Sequence, residues 1–411
     1  MTVEWYRDTT LLESQTYTVD SASYFCDTQV QAFNKVVITI GNMTKPSRFL
    51  KIYNIADGLT RQFYNDELEN VEIIEQITAN NTAININEAS LKLLPSNNTG
   101  VLFQRTLPFS IYRNDQLFGQ FFISSSTSNT NKTLYDLKVS DYIKVLEGQT
   151  YLGGIYTQQN VGTLINDILG DLPYTLDSEL ASKTISGYLP ILDKREALRQ
   201  IAFCLNAVVD TSRANTIVIR PAPDTVSATL SKDKILKIET TQENITTTIT
   251  LETTVLTTKN AQTDNIFSER LSGTTSIIFD KPMFNLAITN GTILVSNCNY
   301  AIIQGTGSTV TLTGKEYVQA IRQETKTNPY TVTTDLEKTD TYHTTIVCDD
   351  ESIIDSLNFV EYKIKSSFEM GDIRVGDLIS LKGQTCRVMS LNYNLWQTTI
   401  YCNANLEAYY G

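Results

Sequence analysis

His343 is the sole histidine of the chain. An imidazole is the side chain best suited to general-base work near neutral pH or to zinc ligation. It lies in Tyr342-His343-Thr344-Thr345, where no serine or cysteine motif accompanies it. Ser–His–Asp and Cys–His catalysis both need such a histidine beside a positioned nucleophile, so His343 reads as a solvated strand residue. Carboxylates cluster at Asp66, Glu67 and Glu69, and again at Asp349, Asp350 and Glu351. Two acids cleave a glycoside only when they flank a cleft in space, which adjacency in sequence does not supply. The second cluster is expected to open a helix, where carboxylates meet the positive end of the dipole. Gly153-Gly154 lacks the Lys-Ser/Thr that follows a phosphate-binding glycine loop. Cys26, Cys204, Cys298, Cys348, Cys386 and Cys402 are scattered, with no Cys-x-x-Cys and no zinc spacing. Cys386 and Cys402 could meet across a hairpin, but reduced, mostly buried thiols are the expectation. These residues predict no enzyme, no metal and no cofactor.

The elements that would position any site are mostly strands. The clearest helix begins at Asp193, whose carboxylate can accept from first-turn amides while Glu196 reaches back, as in a capping box. Leu198, Ile201, Ala202 and Leu205 recur at helical spacing, and Asn206 is a natural stop. Two short strands follow, Ala207–Asp210 and Thr216–Arg220, and Pro221 and Pro223 end the second. A second apolar stripe, Val161, Leu164, Ile165, Ile168 and Leu169, ends at Gly170. A short helical stretch is expected around Asp141–Leu146. Elsewhere strands are expected at Val36–Ile40, Lys51–Asn54, Val71–Thr78, Val101–Phe103, Phe109–Tyr112, Gln116–Ser124 and Leu134–Val139. Pro95–Gly100 and Asn114-Asp115 read as turns between them, and Gly148–Gly154 as a linker. Ile245, Ile249, Leu251 and Val255 alternate with threonines. Five short strands are expected between Thr275 and Leu312. Glu316–Thr325 is compatible with helix or extended chain. Asp349–Phe359 reads as a helix, Val360–Phe368 as a strand, and Leu378–Leu406 as hairpins.

Bulk properties narrow the function. The 411 residues suggest two to four domains. Hydrophobic residues are 41% and charged residues only 19%, a balance that favours β-surface over long solvated helices. The net charge of −12 and the absence of basic runs argue against a nucleic-acid-binding surface. No apolar stretch approaches the roughly 20 residues of a membrane span, and the first residues lack a secretory pattern. The Asn-x-Thr sequons, at Asn42, Asn80, Asn97, Asn131, Asn244 and Asn290, match what so Asn/Thr-rich a chain contains by chance.

The order of parts carries a resemblance. Leu117-Phe118-Gly119-Gln120-Phe121-Phe122-Ile123 closes a β-rich region before a Ser/Thr loop. Asp193-Lys-Arg-Glu-Ala-Leu-Arg-Gln-Ile-Ala202 follows, then a hairpin ending Ile217-Val-Ile-Arg-Pro221. Val375-Gly-Asp-Leu-Ile379 opens the last hairpin. From about residue 70 onward this resembles the baseplate hub, or tail-associated, proteins of tailed phages and phage-tail-like bacteriocins (tailocins). The resemblance implies a mainly β fold with a small α/β insert: two tail-tube-like β-barrel domains plus peripheral domains. The implied first barrel is 1–150 and the small α/β domain 151–222. The second, split barrel is 223–260 with 341–411, and a β-rich insert is 261–340. The implied role is structural, a virion component made in the host cytoplasm. A homotrimer would present six barrels in pseudo-six-fold symmetry, joining the hexameric tail tube or a distal tail protein to a trimeric spike or tip. A tape measure protein is a further implied partner. DNA would pass through without specific binding, and no membrane insertion is implied. The alternative is a tail-borne carbohydrate-binding or carbohydrate-cleaving β-protein; a cell-surface adhesin fits less well.

Overall fold

A computed structural model of the chain describes residues 1–19, 26, 33–41, 63–78, 80, 82–94, 107–130, 134–241, 246–259, 261–329 and 338–409. The expected strands Lys51–Asn54 and Val101–Phe103 and the turn Pro95–Gly100 lie outside these residues. The chain divides into two units, residues 1–62 with 171–173, and 63–170 with 174–411. In the first unit, β1 (Thr2–Arg7), β2 (Thr10–Thr16) and β3 (Lys35–Thr39) form an antiparallel sheet in the order β2-β1-β3. Val3 and Trp5, two residues apart on β1, are buried, as the period of a strand requires.

The larger unit begins with β4 (Leu68–Gln76), β5 (Glu88–Leu93), β6 (Phe109–Arg113), β7 (Gln116–Ser128), β8 (Tyr135–Ser140) and α1 (Tyr142–Leu146). Alternation sets these strands: on β5, Ala89, Leu91 and Leu93 face in while Glu88, Ser90 and Lys92 face out. Asn114 and Asp115 have φ of 49° and 61°, the left-handed pair of a two-residue turn that suits the β6–β7 hairpin.

The α/β portion follows. It holds β9 (Thr150–Tyr151), β10 (Gly154–Asn160), α2 (Val161–Leu169), β11 (Tyr174–Leu176), α3 (Ser178–Ser182), β12 (Thr184–Leu189), β13 (Leu192–Asp193), α4 (Lys194–Cys204), β14 (Ala207–Asp210) and β15 (Ile217–Pro221). The α2 and α4 stripes are buried as expected. Only half of the capping box is made. The Asp193 carboxylate accepts from the Glu196 amide at 2.8 Å, whereas Glu196 turns to the Arg199 guanidinium. Asn206 follows the helix with φ 47°. The expected linker contains β9, which pairs with β13.

The rest of the unit alternates between the main sheet and outlying ribbons. β16 (Val226–Leu230) and β17 (Ile235–Thr241) come first, then β18 (Thr246–Thr257), β19 (Thr263–Ile278), β20 (Met283–Thr289) and β21 (Gly291–Ser296). Next are β22 (Tyr300–Glu316), β23 (Val318–Thr327), β24 (Lys338–Thr344), β25 (Ile346–Cys348) and α5 (Ile353–Ser356). The chain ends in β26 (Val360–Glu369), β27 (Leu378–Leu381), β28 (Gln384–Asn394) and β29 (Tyr401–Tyr409). β19 to β22 form a separate four-stranded sheet with its own small core, including Ala301, Ile303, Val310 and Leu312. Two of the short strands expected here are one, because β22 runs unbroken through Gly305 and Gly307. A side chain on Gly305 would meet the Leu271 carbonyl oxygen at 2.4 Å, so glycine permits the β19–β22 approach. The undecided stretch Glu316–Thr325 is mostly strand, since β23 pairs along β18. Val255 is 42% exposed rather than buried, because β24 stops pairing with β18 at Thr253.

The fold is thus mainly β with a small α/β portion. An eleven-stranded sheet runs in the order β17-β26-β29-β28-β4-β5-β8-β7-β6, with β27 beside β28 and β16 beside β27. Strands from the front (63–140) and the rear (226–241 and 360–409) therefore share one sheet. They also share one core, in which Ile73, Val139, Phe368, Val388, Leu391 and Leu406 are all buried. Each such side chain contributes about 1.5–3 kcal/mol of apolar burial.

Candidate functional site

The residues chosen for their chemistry are dispersed. His343 lies on β24 with its side chain 71% exposed, and its Nδ1 is 2.9 Å from Oε2 of Glu252, its neighbour on β18. Asp349–Glu351 do not begin a long helix: α5 covers Ile353–Ser356 only, and its N-cap Ser352 makes no side-chain cap. Instead Glu351 pairs with Lys183 at 2.8 Å and the Asp350 carboxylate accepts from the Thr184 amide at 3.4 Å. Asp66 and Glu67 belong to a single 3-10 turn before β4. Gly153 accepts from Asn297 Nδ2 at 2.9 Å, so the Gly-Gly pair is a docking point for the neck of the β19–β22 sheet. Cys386 and Cys402 face Ala408 and Tyr393 in register, and both thiols are free. Burial pushes the Cys402 thiol up to about 12. Among the described residues, no group of three His, Cys, Asp or Glu side chains could hold a metal ion.

What the fold brings together is a polar seam where front meets rear. On β4 the inward positions are Val71, Ile73 and Glu75, so a carboxylate takes a place that alternation gives to an apolar side chain. Directly beyond, β4 meets β28: Ile73 faces Tyr393 and Glu75 faces Leu391. Tyr393 donates its hydroxyl to Glu75 Oε1 at 2.6 Å. The turn Thr211-Ser212-Arg213, from the α/β portion, inserts here. The Arg213 side chain is 2% exposed, and its Nε lies 3.7 Å from Glu75 Oε1. Its Nη2 donates to the Ile373 carbonyl at 2.6 Å, and its guanidinium lies 5.9 Å from the centre of the Phe118 ring. Burial pushes the Glu75 carboxyl up to about 7, with the Arg213 charge pulling it down.

A second buried acid completes the seam. Asp141 caps α1, accepting from the Ile143 amide at 3.0 Å, and also accepts from the Asn87 amide at 2.8 Å and from the Thr211 hydroxyl. Burial raises its carboxyl to about 7, against the pull of those donors. Asn87 donates its side-chain amide to Thr211 Oγ1 at 2.9 Å. Asp210 Oδ1 accepts from the Ser212 amide at 2.8 Å. Buried polar groups are tolerated when such partners are supplied. Nearby, Arg220 donates to the Val375 carbonyl at 3.1 Å and Arg387 to the Gly376 carbonyl at 3.2 Å. Gly376 has φ 84°, and a side chain there would lie 3.1 Å from Val208 Cγ1. The Val375–Ile379 motif is thus the place where the last hairpin docks onto β14 and β15. These contacts fix three parts of the chain to one another.

The sheet itself ends openly. β17 pairs with β26 and β6 with β7, and among the described residues neither has a strand on its outer side. Leu236 on β17 is 61% exposed and Tyr112 on β6 is 62% exposed. Arg113 on β6 donates to the carbonyls of Gln397 and Thr398 at 2.6 and 2.7 Å, so the front strands roll round toward the β28–β29 hairpin. Sequence reading located most of these strands but missed the seam. Its signal was present in β4, where Glu75 falls in phase with Val71 and Ile73.

By sequence, no protein family matches the chain, and no curated protein matches it. Solved structures similar to it include a tail protein from Neisseria meningitidis MC58, at 11% identity and TM-score 0.48, covering 83% of this chain and 92% of that one. A 43 kDa prophage tail protein from Shewanella oneidensis is similar at 7% identity and TM-score 0.45, covering 82% and 94%. The prophage tail protein gp18 from Listeria monocytogenes is similar at 9% identity and TM-score 0.46, covering 82% and 94%.

Proposed function

We propose that this chain is the structural hub of a phage tail or tail-like particle. Three copies form a ring that joins the tail tube to a spike or tip. The observation that carries the reading is the open sheet. Front and rear strands build one sheet around one core, and among the described residues its path ends in β17 and β6, each with one side unpaired and an exposed large apolar side chain. An exposed sheet edge recruits another strand. Two unlike edges on one chain join head to tail, and such joints either close into a ring or run on as a filament. In this reading the front strands form the first tube-like barrel and the rear strands the second, while the α/β portion and the β19–β22 sheet stand outside the ring. A net charge of −12 suits a passage that repels DNA phosphate. The seam suits a part that must hold two barrels in fixed relation.

The test is the mass and symmetry of the purified chain, alone and with its tube or spike partner. A particle of three 46.1-kDa chains, with three-fold or pseudo-six-fold class averages in electron microscopy, is expected. A monomer that stays monomeric with those partners, or that cleaves cell-wall polysaccharide, would overturn the reading.

A further inference from the structure

We propose that Glu75 and Arg213 form a proton-operated latch that holds the β4–β28 seam more tightly when Glu75 is protonated. The inference concerns the seam alone and does not depend on the hub reading. Three acids, Glu75, Asp141 and Asp210, lie buried with Arg213. Asp141 is served by the donors described above, and Asp210 Oδ1 accepts from the Ser212 amide and hydroxyl at 2.8 and 2.5 Å and from the Asn87 side-chain amide at 3.4 Å. Glu75 is not so served: Tyr393 donates to Oε1, while Oε2 has no hydrogen-bond partner among the described residues. Nor does Arg213 close on it. Its Nε is 3.7 Å away and makes no hydrogen bond, and its Nη2 is committed to the Ile373 carbonyl. An ion pair this loose does not offset the removal of a carboxylate from water. The charge that suits Glu75 least is therefore its own.

The groups that act on Glu75 come from every element around it. Arg213 and Asp210 belong to the α/β portion, Arg374 to the loop before β27, and Tyr393 to β28. Cys402 on β29 is close enough to feel both Glu75 and Arg213. Burial outweighs the attraction of the two arginines and raises the carboxyl to about 7. In an opened seam the same group would be hydrated and would return to the ordinary carboxylate range. A folded value above the opened one gives stability that is full at acid pH and is lost as pH rises through about 7. The latch is thus tight below neutrality and slack above it. Asp141 is raised in the same sense, so the variants must separate the two.

The experiment is hydrogen exchange of the β4 and β28 amides in the full chain, at pH 6 and pH 8, corrected for intrinsic exchange. Wild-type seam protection should fall about ten-fold between those conditions. Glu75→Gln, which carries a neutral amide in place of the neutral acid, should remove the Glu75 share of that fall, and adding Asp141→Asn should remove whatever share Asp141 contributes. Asp141→Asn should leave the Glu75 component in place. Tyr393→Phe removes a donor to the charged form and should move the fall to higher pH; it also serves if Glu75→Gln does not fold. Seam protection that is flat with pH in the wild type would overturn the latch. So would a fall that Glu75→Gln leaves as large as in the wild type, or a Tyr393→Phe profile that does not move.

Discussion

If copies of the chain join through the ends of the sheet, Leu236→Ser should weaken assembly without weakening the subunit. Leu236 lies on β17 and is 61% exposed, so its loss removes little from the isolated fold. Surface changes of this kind usually fall within about 0.5 kcal/mol. Covering the exposed part of a leucine removes about 1–2 kcal/mol of apolar hydration at each joint, a share of the full burial value. A closed ring of three has three such joints. The loss is then about 3–6 kcal/mol per ring, or on the order of 10²–10⁴ in the association constant. Analytical ultracentrifugation over a concentration series reads this directly, and a melting curve confirms that the subunit is intact. Tyr112→Ser, at the opposite end of the sheet, should act in the same direction. Unchanged assembly of both variants would refute edge-to-edge joining. A lowered melting temperature of the dilute subunit would show instead that Leu236 serves the fold.

Three further outcomes follow from the packing. Arg213→Met should destabilise the chain by about 3 kcal/mol at pH 8, since it strands a buried carboxylate. The cost should shrink at pH 6, where Glu75 takes up a proton, and Glu75→Gln should rescue part of it; urea unfolding at the two pH values checks this. Ile379→Asp places a charge where exposure is 0%. It should cost more than about 4 kcal/mol, or prevent folding, as judged by soluble yield and near-ultraviolet circular dichroism. Gly187→Ala should loosen the β12–β25 pairing, because Gly187 has φ 133° and a side chain there would lie 2.4 Å from the Thr345 carbonyl oxygen. Proteolysis between Leu189 and Ser352 should accelerate in that variant.

Local signals in the sequence were sufficient where one segment decides its own structure. The Asp193 cap and the stripes of α2 and α4 lie within a few turns of chain, and the helices appear where those stripes stand. The Asn114-Asp115 turn is equally self-contained. Reading failed where a distant segment decides. Asp349–Phe359 looked helical, but Lys326 of β23 takes the carbonyls of Asp355 and Leu357 at 2.9 and 2.8 Å, and the helix is one turn. Gly305 and Gly307 read as strand breaks because glycine usually punctuates; in β22 Gly305 instead permits close approach of β19, and Gly307 adopts a φ of 97° within the strand. The seam was hidden because its parts come from four separated stretches. Only the phase of Glu75 within β4 betrayed it.

The divided pairing of β28 has a bearing on synthesis. Its first residues, Gln384–Arg387, pair with β27, and its last, Ser390–Asn394, pair with β4. Tyr393 and Glu75 are 318 positions apart in the chain. Ribosomes deliver β4 long before its partner exists. During that interval one margin of the front sheet has nothing to bind, and such a margin invites the wrong strand. The polar Glu75 on its inner face makes premature collapse against a purely greasy surface less favourable, so the same residue that troubles the finished core protects the unfinished one.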